Sequence, residues 1–428
     1  MKSIRILASL LALSTMCMSD LYAAIIDVPA DYPTISSAIS AASPGDTIIA
    51  AAGVYNEHVV INVPNLTLLG AQANVDARTR TYIPTNESII TFATPAFGTG
   101  IVNIASPNII FNGFTIQGNG TTVNSTGAIF AGDAGQFLPS TTTIDVTGLQ
   151  LLNNIVQNNA NGILIASIEP TPKTPNYLVQ YNYLQNNSGD PNSGNGEGVF
   201  FNNAAGSVMT KVTVTDNLFN GMETSASISL SYVTTATVSY NVMNQDNSIA
   251  LFGTTGISII GNVTSGATGA SSNTADAIFV GFGSTNTTIT DNVISTATSN
   301  GINIYQGNSN TTVSGNCIVG NTLAGISLTS GGGVANSNIT INNNNITMNT
   351  TGLILDAASY TSPPPLLDAT SNYWNSALGP NYNSTSPGAG DLITDSNIPA
   401  TQTVRYTPFL TNAIVCSPDT IFSNGFEP

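Results

Sequence analysis

An asparagine recurs through the middle of the chain in a fixed context, three residues after an aliphatic one. The pairs are Leu151/Asn154, Val179/Asn182, Val214/Asn217, Val238/Asn241, Ile259/Asn262, Ile289/Asn292, Val313/Asn316 and Ile341/Asn344. Successive gaps are 28, 35, 24, 21, 30, 24 and 28 residues. A small residue follows in each copy: Gly162, Gly198, Ser227, Ser248, Ala277, Gly301, Gly325 and Gly352. One and three residues past it the chain is always apolar, from Ile163 and Ile165 in the first copy to Leu353 and Leu355 in the last. A spacing of two means a strand with one buried face. Units this short cannot bury a core alone, so the repeat predicts an all-β solenoid in which like side chains pile coil over coil. The recurrent Asn fits a tight corner in two ways. It tolerates a left-handed backbone, and its amide can hydrogen-bond to the Asn above and below.

The unbroken repeat argues for one elongated domain. Residues 1–23 read as a secretory signal peptide, with Lys2 and Arg5 before the apolar run Ile6–Leu13 and Ala23 at the cleavage position. Residues 24–360 are assigned to the solenoid with its N-terminal cap, and 361–428 to a C-terminal cap and tail. Asp31 to Ser43 reads as a short capping helix, with Asp31 or Thr34 as its N-cap. Trp374, the only tryptophan, is expected to plug the other end. Beyond the leader, no stretch is long and apolar enough to span a membrane. Cys317 and Cys416 can form a disulfide pinning the tail to the solenoid, or stay as two free thiols.

The repeat, with its cap segment VPADYPTISSAISAASPGDTIIAAAGVYNEHVVINVPNLTLLGAQ, resembles the right-handed parallel β-helix proteins of the pectin-lyase-like superfamily. The resemblance implies the fold and leaves the activity open. The catalytic sets of its enzymes are missing or incomplete. The basic residues Arg78, Arg80, Lys173, Lys211 and Arg405 are scattered, with no shared register position to serve a uronate lyase. The Asn-Thr-Asp and His-Gly signatures of polygalacturonases are absent. Gly53-Val54-Tyr55-Asn56-Glu57 matches one segment of pectin methylesterases, but the rest of that set is missing, so Glu57 and His58 are read as cap residues. A single His and scattered Met residues give no copper or zinc site.

One constellation remains. Glu197, Glu223, Asp246 and Asp276 stand one to four residues before the second anchor in four consecutive coils, so they should gather at one corner. Coils rise by ~4.8 Å, which would put neighbouring carboxylates ~5 Å apart. That spacing is in the range glycosidases use, and it could recruit Ca²⁺; no other cofactor is expected. Past the anchor, at outward strand positions, stand Phe200, Phe252, Phe279 and Tyr305. Such rings suit sugar faces, or are covered by the long loops at 186–196 and 266–275. Asp216 and Asp291, each just before its anchor Asn, are read as solvated turn residues.

A net charge of −16 makes nucleic acid and anionic membranes poor partners, and repels polyuronates unless a cation bridges them. The expected function is a non-catalytic glycan- or surface-binding protein, secreted or held at a bacterial cell surface or periplasm, with a polysaccharide or cell-surface glycan as partner. The alternative is a glycoside hydrolase or polysaccharide lyase that uses the acidic row.

Overall fold

The computed structural model describes residues 23–416 apart from 94–98, 119–126, 133–143, 168–175, 188–195, 204–208, 222–224, 247–248, 269–274, 362–365, 384–387 and 399–400. The signal-peptide segment lies outside these, except Ala23.

Each coil lays down three short strands, and like strands of successive coils pair in parallel. The result is three sheets, here called A, B and C, of 14, 11 and 13 strands. One coil shows the plan. Val233–Ser239 belongs to sheet A, Val242–Asn244 to sheet B and Ile249–Phe252 to sheet C. The apolar residues of the repeat stack in columns. In sheet A, Val214, Val238, Ile259, Ile289, Val313 and Ile341 are direct register partners. In sheet C, Ile163, Val199, Ile228, Ile249, Ile278, Ile302, Ile326 and Leu353 do the same. All of these are fully buried in one continuous core. The fold is a parallel β-helix, as the repeat predicts.

The corner between sheets A and B departs from expectation in one respect. The left-handed residue is the one before each anchor Asn: Asn153, Tyr181, Asp216, Tyr240, Gly261, Asp291, Gly315, Asn343 and Ser371 all have φ between 54° and 72°. The anchor Asn points inward instead and is buried. Its Nδ2 donates to Oδ1 of the next anchor at 2.9–3.1 Å, from Asn154 through to Asn372. The same Nδ2 also reaches back to the previous coil, as from Asn217 to the Val179 carbonyl at 2.9 Å. Two of the turn's polar groups, which would otherwise be buried unpaired, are satisfied in this way.

Both ends are closed. The helix Ile35–Ala41 lays Ile35, Ala38 and Ile39 into the core, and Thr34 is its N-cap with Ser37 completing a capping box. At the other end Trp374 is fully buried against Gly352, where a Cβ would stand 2.9 Å from the Asp391 Cβ and 3.1 Å from the indole. Stacking runs on past residue 360, because Leu367–Asp368 and Val404–Arg405 extend sheet A. Residues 408–416 then climb back over the outside. The Ser371 N–H meets the Pro408 carbonyl, Asn345 brackets Ile414, and Cys416 is disulfide-bonded to Cys317 with Cα atoms 5.8 Å apart.

Candidate functional site

Strand parity puts alternate residues of sheet C on its outer face. Two outer columns run along the solenoid axis. One contains Phe200, Ser229, Ala250, Phe279 and Asn303. The other contains Asn202, Ser231, Phe252, Gly281, Tyr305 and Thr329. Asp356 follows directly after Leu355, the register partner of Leu328, and so continues the second column.

Phe252, Phe279 and Tyr305 come together and are joined by Phe282, a residue the repeat pattern gave no reason to single out. Phe282 stacks on Phe252 with centroids 5.9 Å apart and meets Tyr305 edge-on at 5.4 Å. Phe279 lies against Phe252 and Tyr305 at 5.5 and 5.9 Å and is nearly buried by them and by Ala226 and Ala250. Phe282 is 54% exposed. The four rings border a cleft of about 440 Å³, whose remaining lining is Asn303, Thr329, Gly331 and Asp356. Phe200 stands apart, packed against Phe130, Leu164 and Ala166. Most of the two loops expected to cover the rings lies outside the described residues.

The acids do not form an unbroken row. Glu197 and Asp276 stand two residues before the register mates Val199 and Ile278, whereas Asp246 stands three before Ile249. Glu197 and Asp276 are therefore three coil rises apart, ~14 Å. Asp246 is buried and out of step with both, and Glu223 lies outside the described residues. Asp276 is fully buried, and its carboxylate accepts from the Asn300 N–H at 3.0 Å and from the side-chain amides of Asn300 and Asn303 at 2.8 Å each. The Asn303 amide is thereby fixed at the cleft, where its Oδ1 accepts from the Thr329 hydroxyl at 3.3 Å. Glu197 is different. It is partly buried, its carboxyl accepts from the Ser225 hydroxyl at 3.2 Å, and desolvation pushes its pKa up to about 7. At the rim of the cleft, partial desolvation raises the Asp356 carboxyl as well.

Other residues singled out in the sequence are structural. Glu57 accepts from the N–H groups of Ile35 and Ser36 at 2.9 and 2.8 Å and from the Ser36 hydroxyl, so it caps the N-terminal helix. His58 stacks on Phe92. Asp216 is not simply solvated. Arg78 reaches it at 3.5 Å while also pairing with Asp76 at 2.8 Å and lying over the Tyr181 ring. Asp291 is exposed, as expected of a turn residue. Arg80 and Glu87 form a buried ion pair at 3.1 Å that the sequence did not reveal. Among the described residues, no group of three or more His, Cys, Asp or Glu side chains is placed to hold a metal ion, and no helix is long and apolar enough to cross a membrane.

A family profile described as "Right handed beta helix region" matches residues 173–362. No curated protein sequence matches the chain. Among solved structures, a DFA-IIIase from Arthrobacter chlorophenolicus A6 is 14% identical, with 90% of this chain and 98% of that one aligned and a TM-score of 0.48. An alginate lyase from Paenibacillus sp. str. FPU-7 is 12% identical over 68% of this chain and 94% of that one, with a TM-score of 0.45. A mannuronic acid specific polysaccharide family 6 lyase from human gut microbiota is 14% identical over 90% and 91%, also at 0.45. Likenesses at this level concern the stacking of coils and transfer no residue's role.

Proposed function

We propose that this right-handed parallel β-helix is a non-catalytic glycan-binding protein, and that its binding site is the cleft between Phe252, Phe282 and Tyr305. One observation carries the reading. An exposed ring, Phe282, is stacked into a cluster of four aromatics on the outer side of sheet C, and the cleft they border opens onto the polar groups of Asn303, Thr329 and Asp356. Aromatic faces take the C–H face of a sugar ring, and Asn303, Thr329 and Asp356 supply donors and acceptors for its hydroxyls. Asp276 serves as a positioning residue, since it holds the Asn303 amide.

A second reading, hydrolysis, is favoured by the raised pKa of Glu197, which suits a general acid. Neither acid expected to pair with it is aligned with it: Asp276 is three coils away and held by amide donors, and Asp246 is buried and out of step. The location we infer is outside the cytoplasm. The leader-like start of the sequence and the Cys317–Cys416 disulfide support it.

The test is a polysaccharide panel with the purified protein, with and without Ca²⁺, reading retention and newly released ends together. Retention that Phe282→Ala abolishes, with no released ends, is the expected result. Released ends that vanish in Glu197→Gln would replace the binding reading with the hydrolytic one.

A further inference from the structure

The two columns that floor the cleft have a polarity along the solenoid axis. Phe252, Gly281, Tyr305, Thr329 and Asp356 succeed one another coil by coil, a length of four rises or ~19 Å. Gly281 is the gap in this column, since a Cβ there would come within 2.5 Å of the Phe279 ring, which leans across it. Gly331, at φ 53°, is a second close approach, because a Cβ there would overlap the Tyr305 hydroxyl. Each glycine leaves room for a ring, Gly281 for Phe279 and Gly331 for Tyr305. The result is an aromatic floor over the first two rises and a polar end made by Thr329, Asn303 and Asp356.

The charge of this trough is one-sided. Among the described residues, no Lys, Arg or His lines it. Among the described residues a single carboxylate, Asp356, lines it, and it is exposed at the polar end. Asp276 is buried away from the cleft, with its oxygens accepting from the amides of Asn300 and Asn303. An ionised carboxylate only accepts hydrogen bonds, so it fits a sugar bearing hydroxyl donors and opposes one bearing a carboxylate.

Resting on the binding function proposed above, we propose that the cleft takes a neutral, hydroxyl-rich glycan chain laid along the solenoid axis, and that Asp356 is the residue that makes it reject uronates. Selectivity here comes as much from repelling the wrong sugar as from holding the right one. It would set this chain apart from a β-helix that grips acidic polysaccharide through basic residues.

The experiment is a titration by calorimetry of neutral gluco- and manno-oligosaccharides and of oligogalacturonate, in EDTA and low salt, into the wild type, Asp356→Asn and Phe282→Ala. Asp356 is exposed, so its amide variant should keep the fold. The expected result is a neutral oligomer bound roughly tenfold or more tighter than oligogalacturonate by the wild type, with Asp356→Asn closing most of that difference. Oligogalacturonate bound as tightly as the neutral chains and lost in Phe282→Ala would overturn the selectivity while leaving the cleft a glycan site. An unchanged preference in Asp356→Asn would remove this residue's role. Failure of every oligomer to bind would overturn the glycan-binding function itself, and the selectivity with it.

Discussion

Asn217 donates twice to one oxygen of Asn241: its backbone N–H reaches Oδ1 at 3.0 Å and its Nδ2 reaches the same atom at 2.9 Å. Asn241 in turn donates to the Val214 carbonyl at 2.9 Å and to Asn262 at 3.0 Å. Removing one side chain from such a ladder strands buried groups on two neighbouring coils. Asn241→Ala should therefore cost about 3 kcal/mol or more, since each orphaned buried group costs ~1–3 kcal/mol. Chemical denaturation of the variant checks this, and a loss below ~1 kcal/mol would mean the ladder relaxes around the gap.

Phe282 tests the cleft without disturbing the core. It is largely exposed, so Phe282→Ala should leave the unfolding midpoint nearly unchanged. If the ring stacks on sugar, affinity for a bound glycan should fall by ~1–3 kcal/mol. Phe200→Ala is the control, because that ring belongs to a separate cluster and should leave the affinity as it was.

Glu197 gives a pH dependence. Its carboxyl has an ordinary pKa of 4.5 and is raised to about 7 in the fold. Below the first value it is protonated in both states and contributes nothing. Between the two, the unfolded chain ionises while the folded one does not, so stability falls as pH rises; above the second the fall stops. The total is at most about 3 kcal/mol, and less because the group is only partly buried. Glu197→Gln should lack this fall, matching the wild type near pH 4.5 and exceeding it near pH 7.5. Parallel stability curves for the two proteins would remove the assignment.

Glu57 should matter for the N-terminal end alone. Its carboxylate holds the first N–H groups of the capping helix, and caps of this kind contribute ~0.5–2 kcal/mol. Glu57→Ala should speed amide exchange in the helix and in Thr47–Ala50 beneath it, and leave any glycan affinity intact. A loss of glycan turnover in this variant would instead return the segment to catalysis.

What the sequence made legible follows from period. Residues such as Ile163 and Ile165 declare their face because one choice is buried and the other is not, and all sixteen positions of this kind point inward. Asn372 escaped notice because Ala369 precedes it where the other copies carry Leu, Val or Ile. The left-handed corner position escaped because it accepts Asn, Tyr, Asp, Gly or Ser alike, so no residue type marks it. Phe252, Phe279 and Tyr305 could be read from strand parity. Phe282 could not, since it lies past the strand Ile278–Gly281, in the turn. Thr329 and Asp356 are ordinary residues until the pairing of successive coils aligns them with Tyr305.

The strap formed by residues 408–416 touches the coil of Asn372, crosses that of Asn345 and ends covalently on that of Cys317. A stack of repeats opens from its ends inward, one layer at a time. At the C-terminal end the Val404–Arg405 rung is outermost, and the strap that follows it ties that rung to the coils of Asn372, Asn345 and Cys317, so this end should open four layers together or stay shut. The N-terminal end is closed only by hydrogen bonds and packing. Fraying should therefore be polarised, starting at the helix and advancing toward the tail, and reducing the disulfide should give the stack a second end from which to unzip.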